Sequence, residues 1–453
     1  MLEVINPATE EVVQSLEPAN ENDADAAILR AREAFPGWRD VEPADRSRLL
    51  RRLADALDAE NENLAQLESK NTGKPIGDSR AEMGMVAETF HYYAGMPERL
   101  LGDTIPVSGG VDVTFREPLG VVALIVPWNF PLTIASWKMA PALAAGNTLV
   151  LKPAELTPLT ALEFERIARD AGIPEDVVNV VVGPGSKVGK RLVEHPDVAK
   201  VAFTGSTEVG KGIMAGAAGT IKRVTLELGG KSANVVFADA DLEKAAASAP
   251  VAVFGNAGQD CCARSRILVQ KDIFDEFLSL MEPAVTGMRV GNPLDEATDM
   301  GPLISAEHRE KVAAYVPEDA PVAIRGEAPQ GPGFWYPPTV LAPVDNKDRA
   351  AAEEIFGPVV AVIPFDDEED AVRLANDTVY GLSGSVWTQN VARAMRVARR
   401  IEAGVLSINS NTSVRVATPF GGMKQSGVGR ELGPHALDYY TEIKNVYMST
   451  EED

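Results

Sequence analysis

The 453-residue sequence contains little cysteine and little histidine: two cysteines, adjacent at Cys261 and Cys262, and four histidines. A disulfide framework needs several well-separated cysteines in a short secreted chain, and a bridge between sequence neighbours would be strained. A zinc site needs about four ligands at a recognisable spacing, whereas these histidines are scattered singly. We therefore expect neither disulfides nor a metal site. Either both cysteines are small buried side chains, or one is a nucleophile.

The sequence also lacks a basic leader, a long hydrophobic run and a cluster of positive charge. Its longest apolar segment, Leu119–Trp128, is about half as long as a membrane span. The formal net charge of −23 opposes binding to phosphate backbones and to anionic lipid. We therefore expect a cytoplasmic protein with no nucleic-acid or membrane partner. The acidity fits either a salt-rich cytosol or an ordinary acidic protein.

The alternation of apolar and amphipathic segments predicts two α/β domains. Apolar, β-branched runs such as VVALIVP and VTLELGG begin at Gly120, and a second series extends from ANVVF to GVLSIN. Uninterrupted apolar strands separated by helices are typical of parallel sheets that are covered on both faces. The two domains are expected to join near Gly229–Gly230. Before them, helices are predicted at Ala24–Phe35, Pro43–Lys70 and Asp78–Tyr93.

Two further segments indicate strands outside the main sheets. SGGVDVTFREPLG alternates polar and apolar residues after a Gly-Gly turn signal, which is typical of a hairpin. ALDYYTEIKNVYMST ends in a strand-like run with an exposed edge, and such edges often pair with another subunit. We therefore expect a small β element for oligomerisation, built from residues 99–117 and 426–453, and a homodimer or homotetramer.

Two glycine-rich loops could hold phosphate groups. Phe203–Gly212, FTGSTEVGKG, follows a strand and opens a helix, where free N–H groups and the helix dipole favour an anion. It departs from a P-loop because Gly212 stands where a Ser or Thr hydroxyl should bind magnesium. Gly183–Gly189, GPGSKVG, is one residue too long for the GxGxxG fingerprint. Alone, each loop is more often a plain helix start than a nucleotide site.

Six motifs read together are far more specific. In chain order they are PWNFP (127–131), LKPAELTP (151–158), LELGGKS (226–232), GNAGQDCC (255–262), EEIFGPV (353–359) and PFGGMKQSGVGRELG (419–433). This set resembles the NAD(P)-dependent aldehyde dehydrogenase superfamily over essentially the whole chain. The resemblance implies two Rossmann-like domains with parallel sheets, one binding the dinucleotide (residues 1–98 and 118–229) and one catalytic (230–425). It also implies oxidation of a small-molecule aldehyde to a carboxylic acid.

The resemblance assigns the catalytic roles. Cys261 occupies the position of the nucleophile, whose thiolate adds to the aldehyde carbonyl and later carries a thioester. Asn129, with the Cys261 backbone N–H, is expected to stabilise the oxyanion, and such donors contribute about 3 kcal/mol each. Glu227 is expected to be the general base for hydrolysis of the thioester. Lys138 and Glu431 resemble members of a proton exit path.

The resemblance also assigns the cofactor site and predicts NAD, with NADP possible. Lys152 and Glu155 are expected at the adenosine ribose, and Glu354 and Phe356 at the nicotinamide. A carboxylate at Glu155 accepts hydrogen bonds from ribose hydroxyls and repels a 2′-phosphate, which favours NAD. The other predicted cofactor-binding residues are Trp128, Ala154, Gly185, Gly205, Ser206, Gly210 and Leu228.

Five residues are expected at the substrate: Phe130, Trp137, Asp260, Cys262 and Phe420. Trp137 stands where the succinate semialdehyde branch carries an arginine, and an indole cannot pair with a carboxylate. GQDC resembles the aminobutyraldehyde branch, and the carboxylate of Asp260 suits a substrate ammonium. Phe130 occupies a position where betaine aldehyde enzymes often have Tyr, so their aromatic cage would be incomplete here. We therefore expect an ω-aminoaldehyde, with broad-range aliphatic or aromatic, betaine and succinate semialdehyde activities as alternatives.

The two thiols can be separated experimentally. Cys261→Ala should abolish aldehyde oxidation while NAD still binds, because the thiolate forms the covalent intermediate and lies outside the dinucleotide loops. Cys262→Ser should retain most of the turnover. NADH production at 340 nm and NAD binding by calorimetry would measure both effects, and an essential Cys262 would show that the assigned register is wrong.

Overall fold

The computed structural model describes residues 1–412 and 414–450. Its strands are β1 (Leu2–Ile5), β2 (Val12–Leu16), β3 (Thr104–Val107), β4 (Gly110–Pro118), β5 (Val121–Ile125), β6 (Thr148–Lys152), β7 (Val178–Val180), β8 (Val198–Thr204), β9 (Arg223–Glu227), β10 (Ala233–Val236), β11 (Arg266–Gln270), β12 (Val322–Arg325), β13 (Thr339–Leu341), β14 (Val359–Phe365), β15 (Ser383–Trp387), β16 (Val405–Ile408), β17 (Gly427–Val428) and β18 (Thr441–Ser449). Its helices are α1 (Glu21–Arg39), α2 (Pro43–Ala59), α3 (Asn61–Thr72), α4 (Ile76–Ala94), α5 (Pro131–Ala144), α6 (Leu159–Asp170), α7 (Lys190–Glu194), α8 (Thr207–Ala217), α9 (Leu242–Phe254), α10 (Phe274–Thr286), α11 (Ala306–Ala313), α12 (Arg349–Ala352), α13 (Glu368–Asn376) and α14 (Val391–Arg400). Among these described residues, no helix has the length and apolar character needed to cross a lipid bilayer.

The first large sheet has six strands in the order β17-β9-β8-β5-β6-β7. The pairs from β9 to β7 are parallel, and only β17 runs antiparallel, against β9. Every residue of β5 and β6 is buried, as the uninterrupted apolar runs predicted. In parallel strands the carboxyl ends share one edge. The residues that follow β5, β6, β8 and β9 therefore meet at that edge.

The second large sheet has seven strands in the order β12-β13-β14-β11-β10-β15-β16. It is parallel except for β12, which pairs antiparallel with β13 at the edge. The segments that precede β11 and β14 contain the Cys261 and Glu354 motifs, so they lie at the amino edge of this sheet. The chain passes directly from β9 to β10 through residues 228–232. The predicted α/β fold with parallel-type sheets is confirmed, with one antiparallel edge strand added to each sheet.

The third sheet is antiparallel, with the order β18-β4-β3. β18 pairs with the whole length of β4, from Thr441 opposite Pro118 to Ser449 opposite Gly110. β17, residues 427–428, pairs with β9 in the six-stranded sheet instead. The predicted domain boundaries stay a prediction.

The helical region before Thr104 differs from expectation at one point. The predicted helix Pro43–Lys70 is two helices, because Glu60 leaves the helical conformation with φ −94° and ψ 6°. The Glu60 N–H donates to the Ala56 carbonyl, which closes α2, and α3 then begins. After α3 the chain turns at Gly73, whose φ of 80° suits glycine. This turn carries Lys74 into the interior.

Candidate active site

Cys261 and Cys262 lie in a tight loop between α9 and β11. A 3₁₀ turn precedes them, in which Asn256 and Ala257 have positive φ angles of 51° and 55°. Both cysteines are free thiols; Cys262 is buried and Cys261 is partly exposed. An Asp260 carboxylate oxygen accepts the Cys262 N–H at 2.8 Å. These contacts hold the loop in one shape and leave the Cys261 side chain at a cavity wall.

The donor atoms of Asp260, Cys261 and Cys262 lie within 4.8 Å of one another. This group could hold a metal ion, so the expected lack of a metal site stays a prediction. A hydrogen bond with the Cys262 thiol is the largest influence that raises the pKa of Cys261 well above its ordinary value, followed by burial and the charge of Asp260. The thiol form therefore dominates in this arrangement, and attack on a substrate requires removal of its proton.

Asn129 follows β5 at the carboxyl edge of the first sheet and is 3% exposed. Its side-chain Nδ2 donates to the Gln259 carbonyl at 2.9 Å, which ties it to the nucleophile loop. An amide nitrogen carries two N–H groups, and this contact uses one of them. Asn129 and Cys261 line the same cavity, as an oxyanion site requires.

Glu227 is the last residue of β9 and is 3% exposed. Among the described residues, neither carboxylate oxygen has a hydrogen-bond partner. Burial raises the pKa of Glu227 well above its ordinary value, and the charge of Glu431 raises it further. Glu431 forms an ion pair with Lys138, and both side chains are almost completely buried. The three predicted proton-transfer residues thus form one buried, electrostatically coupled group.

Two cavities flank the nucleophile loop. A cavity of about 240 Å³ is lined by Cys261 and Asn129 together with predicted cofactor residues. A second cavity of about 760 Å³ is lined by Cys262, Asp260 and Phe130. Several residues expected at the cofactor therefore line the smaller cavity, and three residues expected at the substrate line the larger one. The loop that carries the nucleophile is the wall between them.

The 240 Å³ cavity has the polar groups that a dinucleotide needs. Ser206 caps α8 by accepting the Val209 N–H at 3.4 Å, so the free N–H groups of this eleven-residue helix face the loop after β8. The Thr204 hydroxyl is buried at the cavity wall, and no residue of the described chain hydrogen-bonds to it. A Cβ at Gly210 would lie 2.5 Å from the Leu228 side chain, so a larger residue there would require Leu228 to move. These residues fit an anionic, hydroxyl-bearing ligand.

The predicted ribose-binding residues lie together at the next strand ends. Lys152 ends β6, and burial lowers its pKa. Its Nζ donates to the Pro153 carbonyl at 2.9 Å. Ala154 and Glu155 follow, and Glu155 accepts the Gly185 N–H at 3.4 Å. The structure thus brings Lys152, Glu155 and Gly185 into one neighbourhood, as the sequence motifs predict.

Glu354 and Phe356 line the opposite wall of the 240 Å³ cavity. A Glu354 oxygen accepts the Gly230 N–H at 2.8 Å, and burial raises the pKa of Glu354 to about 7. Phe356 has a positive φ of 60° and packs edge-on against Trp128, with 5.4 Å between ring centres. The sequence reading missed His308, whose Nε2 lies 2.7 Å from the Phe356 carbonyl.

Lys311 also lines this cavity and was also missed. His308 and Lys311 both lie on α11, which none of the six motifs covers. A helix that approaches a site from another part of the chain leaves no local signature, and the i, i+3 spacing of the two residues is the one signal that could have indicated a shared face.

The predicted substrate residues divide into two groups. Phe130, Asp260 and Cys262 line the 760 Å³ cavity. Trp137 and Phe420 pack against each other, with 5.1 Å between ring centres, and neither is among the described residues that line this cavity. Both belong to the buried hydrophobic cluster that includes Cys262. The predicted substrate contacts of Trp137 and Phe420 therefore stay a prediction.

The same cavity contains charged residues that the sequence reading did not identify. Asp78 and Glu82 lie on α4, and Arg264 follows the nucleophile loop. Arg264 is buried and donates to the Cys262 carbonyl at 2.6 Å and the Ser383 hydroxyl at 2.7 Å. Arg264 therefore links the nucleophile loop to β15.

Known proteins resemble this chain over its whole length. A betaine aldehyde dehydrogenase of Bacillus subtilis is 44% identical, with 99% of this chain and 94% of that protein covered. The structure of PnpE in complex with nicotinamide adenine dinucleotide, a protein known from Pseudomonas sp. WBC-3, matches with a TM-score of 0.97 and 44% identity, over 100% of this chain and 94% of that one. A Staphylococcus aureus betaine aldehyde dehydrogenase in complex with NAD⁺ matches with a TM-score of 0.97 and 40% identity, over 100% and 92%. The aldehyde dehydrogenase family model matches residues 1–446, and the chain belongs to the aldehyde dehydrogenase family.

Proposed function

We propose that this protein oxidises a cationic aldehyde, an ω-aminoaldehyde in the first instance, to its carboxylic acid with NAD as the hydride acceptor. Family membership establishes the general class, an NAD(P)-dependent aldehyde dehydrogenase. The residue roles and the substrate are the proposal. The observation that carries it is the position of the nucleophile loop, which contributes Cys261, beside Asn129, to one cavity and Asp260 to the other.

In the first half-reaction, Glu227 takes the proton of the Cys261 thiol and passes it toward Lys138 and Glu431, and the resulting thiolate attacks the carbonyl carbon of the aldehyde to form the thiohemiacetal anion. The Asn129 amide and the Cys261 backbone N–H stabilise the negative charge on the former carbonyl oxygen. Bound NAD would supply the acceptor for the hydride of the aldehyde carbon. Glu354, Phe356 and Trp128 would hold its nicotinamide end, and the start of α8 would hold its pyrophosphate.

In the second half-reaction, Glu227 takes a proton from water, which attacks the thioester carbon. The carbon–sulfur bond breaks, the acid leaves, and the Cys261 thiolate is restored. The proton passes from Glu227 to the Lys138–Glu431 ion pair and leaves through this buried group. A carboxylate with no fixed hydrogen-bond partner, such as Glu227, is free to move between the thioester and the proton exit.

Two carboxyl groups in the wall of the larger cavity support a cationic substrate. Lys244 and Arg264 also line this cavity, and Glu82 is paired with Lys74, so the proposal rests on Asp78 and Asp260. Carboxylates attract an ammonium. Betaine aldehyde is the second candidate, because the relatives named above include two betaine aldehyde dehydrogenases and its trimethylammonium group has the same charge.

Substitution of Asp260 tests the substrate class. Asp260→Asn keeps an oxygen that can accept the Cys262 N–H but removes the charge. It should raise KM for 4-aminobutyraldehyde about five- to a hundred-fold, the scale of a partly buried ion pair worth about 1–3 kcal/mol. Steady-state NADH formation with NAD should show the effect. An uncharged aldehyde of equal length is the control substrate, and betaine aldehyde is the second test substrate. Equal losses for all three would contradict the ion pair, and a parent enzyme that favours succinate semialdehyde would refute the cationic substrate.

Substitution of Glu227 tests the general base. Glu227→Gln should slow thioester hydrolysis by about 10²–10⁴, while the first turnover still releases a burst of NADH. In the parent enzyme, the hydrolysis rate should rise with pH through the raised pKa of Glu227, because only the ionised carboxylate accepts a proton. The variant should lose this rise. Stopped-flow measurements from pH 5 to 9 would separate burst from steady state, and an equal loss of both would count against the role.

The three-stranded sheet supports assembly into a homodimer or homotetramer. In the β4–β18 register, Val113 lies opposite Val446 and Val111 opposite Met448, and Phe115 lies on the same face. Phe115, Val446 and Met448 are exposed in the single chain. An exposed apolar sheet face of this kind is typical of a subunit interface.

A charge on this face should weaken the assembly. Phe115→Asp is expected to shift the mass measured by light scattering toward the monomer, because a carboxylate would lose its hydration in the apolar interface. Val391→Asp is the matched control, since Val391 is 77% exposed at the start of α14, away from this sheet. A monomeric parent, or an unchanged mass for Phe115→Asp, would argue against this interface.

A further inference from the structure

Lys74 is a fully buried lysine directly behind the candidate oxyanion site. Its Nζ donates to the Glu82 carboxylate at 2.6 Å and to the Asn129 backbone carbonyl at 3.0 Å. The same atom lies 4.0 Å from the centre of the Phe130 ring. One ammonium group therefore contacts the two consecutive residues that line the two cavities.

The Asn129 carbonyl accepts a second hydrogen bond, from Asn256 Nδ2 at 3.0 Å. Asn256 Nδ2 also lies 3.2 Å from the Gln259 carbonyl, which in turn accepts Asn129 Nδ2 at 2.9 Å. Asn129 is thus held at its backbone and at its side chain. Of the two groups that hold the backbone, Asn256 belongs to the nucleophile loop, and Lys74 alone comes from the helical region before the first sheet.

Four carboxyl groups lie near Lys74. The charge of Lys74 lowers the pKa values of Glu68, Asp78, Glu82 and Asp260, against burial, which raises them. Burial dominates at Glu82 and raises its pKa to about 7. A buried lysine is costly unless it is paired, and the Glu82 carboxylate pairs with Lys74 at 2.6 Å. This ion pair and the contact with Asn129 fix the position of the Lys74 side chain.

We infer that Lys74 is a positioning residue for the oxyanion site: it fixes the Asn129 backbone so that the Asn129 amide points at the carbonyl oxygen of the substrate. This inference rests on the proposed role of Asn129. Oxyanion donors act only within a narrow range of geometry, and a shift of about 1 Å can cost a hundred-fold in rate. Lys74 would act through Asn129 and without contact to the reacting atoms.

A double-mutant cycle tests this inference. Lys74→Met removes the donor and keeps the length of the side chain, and Asn129→Ala removes the amide. Lys74→Met should slow the NADH burst about ten- to a hundred-fold. In the Asn129→Ala background the same substitution should have almost no further effect, because there is no amide left to position. If the burst rate of the double variant falls by the product of the two single-variant factors, the inference is wrong. A burst unchanged by Asn129→Ala would instead contradict the proposed role of Asn129.

Three controls keep the result specific. Lys222→Met removes another lysine that donates to two backbone carbonyls, those of His195 and Val198, and should leave the burst unchanged. Glu82→Gln removes the partner charge and leaves the Lys74 contact with Asn129, so it should slow the burst less than Lys74→Met. Alkylation of Cys261 by iodoacetamide does not involve the oxyanion site. Its rate should therefore be unchanged in Lys74→Met. An equal loss in alkylation would show that Lys74 merely supports the loop.

A second variant is needed if Lys74→Met does not fold. Lys74→Met leaves Glu82 buried without its partner, which can unfold a protein. If thermal melting shows such a loss, Lys74→Met with Glu82→Gln removes both charges and replaces the single variant in the cycle. The same non-multiplicative pattern is then required, and its absence would refute the inference.

Discussion

The arrangement of the site depends on how closely the chain can approach itself at Gly229 and Gly230. A Cβ at Gly229 would lie 2.3 Å from a Glu354 oxygen, and one at Gly230 would lie 2.3 Å from the Cys261 carbonyl. No larger residue fits either position without moving one of these groups. The two glycines therefore let the carboxyl edge of the first sheet meet the amino edge of the second.

Buried carboxyl groups are the main energetic cost of this arrangement. Burial raises the pKa of Glu82 and of Glu354 to about 7, and it also raises those of Glu227 and Asp260. A carboxyl group with a higher pKa in the folded state holds its proton more tightly there than in the unfolded chain. The contribution of Glu82 and Glu354 to the free energy of unfolding is therefore full below about pH 4.5 and declines as the pH rises toward 7. Near neutral pH, the burial of these carboxyl groups therefore lowers the free energy of unfolding.

The sequence alone predicted much of this, since six motifs in order identified the family and local periodicity identified strands such as β5 and helices such as α4. It did not predict that Lys74, Arg264 or His308 lies beside the site. Each contacts a backbone carbonyl, that of Asn129, Cys262 or Phe356, and such contacts depend on the fold and not on residue type. The break at Glu60 was missed although polar residues follow it, including Asn61 and Asn63, because helical segments on both sides and the lack of Gly or Pro favoured one continuous helix.

The nucleophile loop contributes residues to two cavities whose linings are otherwise different. The 760 Å³ cavity is lined by residues of α4, α9 and the segment around Asn409, none of which lines the 240 Å³ cavity. A substitution on α4 or α9 can therefore reshape the larger cavity without touching the smaller one. The fold thus allows the two cavities to be redesigned independently.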